Sequence, residues 1–300
     1  MSFAYKVGHD CEFFVLDSNR GHIVPVCGKL GGTKKRPLPV EGSRVGTTYQ
    51  EDGVACEIGM DPTSVHDFLP AASQSFFDMQ TVLASRQLQV AGGVSNTFKL
   101  EDLKLHPQAL VIGCSPDYSA HDRGMKRSNL NIEAMGTRRF TGGHLHFSCP
   151  LKDRDRLAND TPIWAVVQMI DALALMFSSR YSWEYQGERY EFYGLPGLYR
   201  PKPYGLEYRT PTNYWLWDSA GGASKDATDF VNNCASVVQA CSELSGDVVR
   251  GYYERIDWDS VKRLLDLSGK LSFRQRAATP EYARLFELKE EMALELGELR

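Results

Sequence analysis

Lys6-Val7-Gly8-His9-Asp10-Cys11-Glu12-Phe13-Phe14-Val15-Leu16 is the stretch on which the fold turns. Its hydrophobicity alternates with a period close to two, the mark of a β-strand with one buried face. Asp10 and Glu12 then project from one side, while Cys11, Phe13 and Val15 project from the other. One face is suited to a core and the other carries two acids.

The same reading spreads outward to three further segments. In Gly53-Val-Ala-Cys-Glu-Ile-Gly59, Glu57 shares a face with Ala55 and Gly59, opposite Val54, Cys56 and Ile58. In Thr141-Gly-Gly-His-Leu-His-Phe-Ser148, His144, His146 and Ser148 lie opposite Leu145 and Phe147. In Gly205-Leu-Glu-Tyr-Arg-Thr-Pro211, Glu207 and Arg209 lie opposite Leu206 and Tyr208. Each segment alone has a plain explanation. An acid pair on a strand is commonly a solvated face, and a His-x-His pair also serves zinc hydrolases or structural roles. Acid-x-Arg is most often a surface ion pair of little energetic worth.

Their combination is harder to ascribe to packing. As neighbours in one sheet, Asp10, Glu12, Glu57, His144 and Glu207 would converge as oxygen and nitrogen ligands suited to Mg²⁺ or Mn²⁺. Buried carboxylates repel one another strongly at low effective dielectric, so grouping them makes sense chiefly around cations.

The rest of the chain fills in an α+β class. Strands are expected at Tyr5 to Leu16, Val54 to Gly59, Ala109 to Cys114, Phe140 to Ser148 and Gly205 to Thr210, each bounded by turn residues. A first helix is expected from Ser64 or Pro70 to Leu88, because Ser64 with Asp67 resembles a capping box. A second opens at Asp160 or Thr161, with Pro162 as its first residue and Trp164, Val167, Ile170 and Leu173 facing inward. Phe230, Cys234, Val237, Val238 and Cys241 mark a third, and Leu285, Leu288, Met292 and Leu296 a last one opening at Thr279-Pro280-Glu281. Tyr181 to Tyr204 carries eight aromatics among glycines and prolines, which fits an ordered loop over a site or a set of core plugs equally.

Composition excludes several classes. A chain of 300 residues, 42% hydrophobic and 24% charged, has the makeup of one large globular domain. A formal charge of -4 offers no global attraction to nucleic acid or an anionic membrane. The densest basic run, Lys34-Lys35-Arg36, fits a solvated loop or a local polyanion patch. The seven cysteines are odd in number and form no CxxC pair, which argues against a disulfide framework or zinc knuckle and for a reducing cytoplasm. No secretory signal is read at the N-terminus. The most apolar segment, Ile163 to Phe177, is broken by Gln168 and Asp171 and is too short for a membrane span.

The order GHDCEFF, EDGVACEIG, GGHLHFS, GLEYRTPTNYW resembles the glutamine synthetase and glutamate-cysteine ligase superfamily, and is more closely similar to the phage-encoded COOH-NH2 ligases of type 2. The resemblance covers residues 6–217 and leaves the helical part at 222–300 aside, within one domain spanning 1–300. It implies a glutamine-synthetase-like curved, mainly antiparallel sheet with helices on its outer face, binding divalent ions and the phosphates of ATP on the other. By motif, Glu12 and Glu57 would hold the ion beside the substrate carboxylate, and Asp10, His144 and Glu207 the ion on the nucleotide. His146 and Arg209 would contact phosphate oxygens, and Lys29, Lys34, Arg200 and Lys202 would bind carboxylate or phosphate groups. Glu51 and Asp52 are the candidates for deprotonating the amine.

The implied activity is ATP-dependent joining of a carboxylate to an amine, either of them small or part of a peptide, in the cytoplasm of a host if the chain is phage-encoded. A homo-oligomer is compatible with that activity. Asp10 stands where the superfamily usually has Glu, and the acidic loop that closes over the amine in glutamine synthetase has no counterpart. Three other readings stay open: a guanidino kinase on the same sheet, a metal hydrolase built on His144 and His146, and a non-catalytic binding module of a phage.

Overall fold

The alternating segment forms a strand, Val7–Asp17 (β1), in the middle of a large sheet. The computed structural model describes residues 3–111, 117–126, 135–181, 189–220, 224–268 and 271–298. Five further strands position the polar residues: Thr48–Asp52 (β2), Ala55–Gly59 (β3), Gly143–Ser148 (β4), Leu198–Lys202 (β5) and Gly205–Tyr208 (β6). They lie side by side in the order β2, β3, β1, β4, β6, β5, within a sheet that has 11 strands among the described residues. The pairings between these six are all antiparallel.

Register decides which side chains meet. Glu12 lies opposite Glu57, and Gln50 opposite Glu57 on its other side. Asp10 lies opposite His144, His146 opposite Glu207, and Arg200 opposite Glu207. Cross-strand partners share a face, so the polar residues of all six strands gather on one side of the sheet.

The other side is apolar. Cys11, Phe13, Ile58, Leu145, Phe147, Leu206 and Tyr208 are buried in one core that runs from Val7 to Leu296. Helices Val65–Ala84 (α1), Ile163–Leu173 (α2), Tyr214–Ala220 (α3), Lys225–Glu243 (α4) and Pro280–Glu298 (α5) cover it. They contribute Phe68, Ile170, Trp215, Phe230 and Leu288 among others. The α+β class, with a large antiparallel sheet and helices on the face away from the acids, is therefore the observed one. Among the described residues no helix is long and apolar enough to cross a membrane.

Several boundaries differ from expectation. α1 starts at Ser64, whose hydroxyl accepts from the Asp67 amide, and runs through Pro70 to Ala84. Pro162 caps α2 from outside rather than opening it, and Asp160 takes a left-handed turn conformation at φ 70°. α2 is buried almost all round, and Trp164, expected inside, is its half-buried exception, packed edge-on against Tyr253.

The strand expected at Ala109 to Cys114 is instead a short helix, Pro107–Leu110, because Pro107 opens it and His106 Nδ1 accepts from the Gln108 amide; residues 112–114 lie outside the described ones. The strand expected at Phe140 to Ser148 is split. Arg138–Phe140 pairs with Ser95–Thr97, and Gly143 starts β4 where its amide donates to Pro211 O. A Cβ on Gly143 would come within 2.2 Å of the Thr212 carbonyl, so only glycine fits there. Two further helices, Gly246–Arg255 and Trp258–Ser268, lie beyond the elements expected from the sequence.

His9, on the core side of β1, is 5% exposed, its Nε2 is 3.2 Å from Ser75 Oγ, and the rings of Phe68 and Trp215 meet it edge-on. Burial pushes its pKa down from 6.5 to about 4. The unfolded chain therefore binds a proton that the folded chain refuses, and stability falls as pH drops from 6.5 toward 4. The loss should reach roughly 3 kcal/mol. Urea unfolding between pH 8 and pH 4 should show a decline that flattens in His9→Gln. A decline of equal depth in the variant would assign it to other groups.

Candidate active site

Two groups of three side chains stand next to each other on the polar face. In each group one ligand atom per residue lies within 4.8 Å of the other two. The first is Glu12, Asp52 and Glu57, from β1, β2 and β3; the second is Asp10, His146 and Glu207, from β1, β4 and β6.

The first group is held by backbone and amide donors. Glu12 is buried, its Oε2 accepts from the Gly142 amide at 2.7 Å, and the Asn213 side chain donates to its carbonyl at 2.7 Å. Gln50 Nε2 donates to Glu57 Oε1 at 2.5 Å, and Lys34 Nζ lies 2.8 Å from Asp52 Oδ2. Burial, then the charges of Asp10, Asp52 and Glu12, push the Glu57 carboxyl well above the usual range. Burial, with Asp52 adding to it, also raises Glu12, against the opposing pull of His144 and Arg209. Burial works against the Lys34 ammonium, yet Asp52 and Glu57 hold its pKa above the ordinary lysine value.

The second group is surrounded by cations. Glu207 is fully buried, pairs with Lys202 at 2.5 Å and Arg200 at 3.5 Å, and contacts Arg209 directly. Burial opposes its ionisation, but Arg209 pulls the carboxyl down to about 2. Asp117 bridges Arg209 Nε at 2.8 Å and Arg200 Nη2 at 3.1 Å, fixing both guanidinium groups. Asp10 is likewise held well below the carboxylate range: burial works against its charge, but His146 and His144 outweigh it.

A connected set of polar side chains runs behind this group. His144 Nδ1 lies 2.9 Å from Asp10 Oδ1 and 3.2 Å from Arg209 Nη1, so its ring stands between a carboxylate and a guanidinium. Its Nε2 is 2.9 Å from the Tyr193 hydroxyl, and Arg209 Nη2 donates to the Tyr193 oxygen at 3.0 Å. Gly142 makes room for this imidazole, since a Cβ there would lie 2.4 Å from His144 Nε2.

The expected residues are thus distributed across the sheet. Asp10, Glu12, Glu57, His144, His146, Glu207 and Arg209 share the face, with Arg200 and Lys202 at one margin and Asp52 with Lys34 at the other. Glu51 does not join them. Next to Asp52 in a strand, it points to the opposite side, and its carboxylate accepts from the amides of Gly28, Leu30 and Gly31 at 2.8–2.9 Å. Lys29 is exposed on that same loop. His144, expected as a metal ligand, has both ring nitrogens within hydrogen-bond distance of protein groups, and the cluster whose atoms could hold a cation includes His146. Asp52, expected as a base, belongs to the cluster of atoms that could hold a cation.

Gln50, Asp117, Tyr193 and Tyr204 were missed. Tyr193 and Tyr204 come from the aromatic-rich segment, which serves both roles considered for it: these two rings reach the site, whereas Tyr181 and Tyr199 are buried in the core. Residues 182–188 of that segment lie outside the described ones. Gln50 alternates with Asp52 on β2 and could have been found by the same period-two reading.

Both groups suit hard or borderline divalent cations. Three carboxylates with one lysine leave an excess of negative charge, and His146 completes the second group with an imidazole. The His146 Nδ1 is 2.6 Å from the Tyr204 hydroxyl, an outer partner of the kind that fixes a ligating tautomer. The buried Nε2 has no hydrogen-bond partner among the described residues and lies 3.2 Å from Asp10 Oδ1, where a cation would satisfy both.

No family model matches the chain, and no curated protein does. Among solved structures, that of apo GmaS without ligand aligns with 98% of this chain and 70% of its own, at 10% identity and a TM-score of 0.38. A likeness this loose carries no functional weight, and the chemistry has to be read from the site's own geometry.

If Glu57 is strained by burial and like charge, Glu57→Gln should raise the melting temperature of the metal-free protein at pH 8. A relief of ~1 kcal/mol corresponds to about 2–4 °C in a chain of this size. The sign follows from a carboxyl raised in the folded state, whose contribution is lost as pH climbs through its pKa. The gap between variant and wild type should therefore close toward pH 4; calorimetry at both pH values measures it, and a variant less stable at pH 8 would refute it.

Proposed function

We propose that the chain is an ATP-dependent ligase that joins a carboxylate to an amine by way of an acyl phosphate. One observation carries this reading: two ligand groups lie side by side on one sheet face, one rich in uncompensated carboxylates and the other rimmed by Arg209, Arg200 and Lys202. A site of that kind can bring together two anions, a phosphate chain and a carboxylate, which would otherwise repel each other.

Glu12, Asp52 and Glu57 would hold one divalent ion, and Asp10, His146 and Glu207 another, Mg²⁺ or Mn²⁺ in each case. When bound, such ions neutralise phosphate oxygens and so lower the cost of bringing a carboxylate to phosphorus. The chain's own groups do the rest. Asp117 and Tyr193 hold the Arg209 guanidinium in a fixed orientation, so that it meets developing negative charge without reorganising. Arg200 and Lys202 extend the positive margin along β5.

In the first step the substrate carboxylate oxygen bonds to the γ-phosphorus as the bond to ADP breaks. In the second the amine nitrogen attacks the acyl carbon, and phosphate leaves with the electron pair of the carbon–oxygen bond. The amine must also lose a proton; of the two carboxylates expected to take it, Glu51 faces away from the site and Asp52 would be engaged with the cation.

The test is release of ADP and phosphate from ATP with Mg²⁺ or Mn²⁺, screened against pools of amino acids and polyamines, with mass spectrometry of products. A new mass equal to acid plus amine minus water is the expected result. A stable phosphorylated product without a second substrate would favour a guanidino kinase, and neither turnover nor nucleotide binding would leave a binding module. Glu12→Gln and Arg209→Lys should each lower turnover by about 10²–10³-fold. Circular dichroism of Glu12→Gln should stay unchanged, since Gln retains an acceptor for the Gly142 amide.

A further inference from the structure

Lys34 stands at the first acidic group in an arrangement that amide-bond formation does not require. Its ammonium pairs with Asp52 at 2.8 Å, while 48% of its side chain remains exposed. The loop that carries it is built to present it there. Thr33 and Arg36 exchange two backbone hydrogen bonds, at 3.1 and 2.8 Å, which closes a tight turn with Lys34 and Lys35 at its tip. Glu51 fixes the root of the loop through the amides of Gly28, Leu30 and Gly31. Gly32, at φ 80°, lies flush on β2, where a Cβ would come within 2.9 Å of Tyr49 O.

Glu51 and Asp52 are consecutive in a strand and so face opposite ways. One carboxylate anchors the loop's root, and the next receives its ammonium. A half-exposed lysine pair of this kind is weak, and its long stem can swing aside without moving the backbone. A divalent ion engaging three carboxylates at once would outcompete it.

We infer that Lys34 is a tethered counter-ion. It partly neutralises Glu12, Asp52 and Glu57 in the metal-free protein, is displaced when a divalent cation enters, and then takes the anionic group of a substrate from the same loop tip. Cation binding thereby precedes anion binding and prepares for it. The inference rests on reading that group as a cation site, and the experiment separates the two.

Mn²⁺ is titrated into the full chain, bound ion is followed by electron paramagnetic resonance, and Lys34 acetylation by a small acylating reagent is measured at each point by mass spectrometry. An ion-paired ammonium is a poor nucleophile, so Lys34 labelling should rise at least about threefold along the binding curve, and Lys35 should stay within about twofold. Lys34→Met should bind Mn²⁺ about two- to fivefold tighter, and its Mn²⁺-loaded form should bind inorganic phosphate several-fold more weakly than wild type. Bound Mn²⁺ with flat Lys34 labelling would overturn the inference and leave the cation site standing. Equal phosphate affinity in the variant would overturn the second role, and no Mn²⁺ binding would overturn both inference and site.

Discussion

Glu12 and Glu57 face each other directly across two neighbouring strands, and the rest of the polar face is arranged around that conflict. Like charges in register destabilise a sheet, and the burial of Glu12 removes the water that would screen them. The opposite face makes such a placement tolerable. There the same strands lay Phe13, Ile58, Leu145, Phe147 and Tyr208 against Phe68, Trp215 and Phe230, so stability comes from apolar packing that does not depend on the acids. The sheet therefore separates two tasks by side-chain parity: one face holds the fold together, and the other is free to be electrostatically unfavourable.

Neutralisation is uneven across that face. Glu207 has Arg209, Arg200 and Lys202 about it, while in the group of Glu12, Asp52 and Glu57 Lys34 pairs with Asp52 and acts on the other two as a nearby charge. The consequence is visible in two residues of one type on one sheet: Glu207 is pulled down to about 2, and Glu57 is pushed well above its ordinary value. Opposite shifts a few strands apart divide the surface into an end that attracts cations and an end that tolerates anions.

Period-two alternation makes much of this legible in the sequence itself. It places Asp10, Glu12, Glu57, His146, Glu207 and Arg209 on a common side because strand parity is local and sheet pairing only has to bring the strands together. Parity read carelessly misleads at Glu51, which sits beside Asp52 in sequence and on the other side of the sheet in space. Asp117 is invisible for a different reason: it reaches Arg200 and Arg209 from a separate part of the chain, and nothing in its neighbourhood marks it. The helices Gly246–Arg255 and Trp258–Ser268 carry apolar stripes at least as periodic as that of the enclosed α2, so they were legible in the sequence by the same criterion.

The different burial of the two histidines shows what strand parity leaves undecided. His144 and His146 share a face and differ only in depth, yet His144 is 1% exposed and His146 remains partly open. The closure of Gly142 and Gly143 against the chain at Pro211 and Thr212 sinks the first ring between Asp10 and Tyr193. Arg189 reinforces that closure from within the core, donating to the carbonyls of Thr141, Thr210 and Pro211. Buried there, His144 orients the Asp10 carboxylate and ties it through Tyr193 to Arg209, so that a carboxylate at one end and a guanidinium at the other are set by one connected group of side chains. A small displacement of either would be felt by both, which places the precision of this face in the backbone closure behind it rather than in the charged side chains themselves.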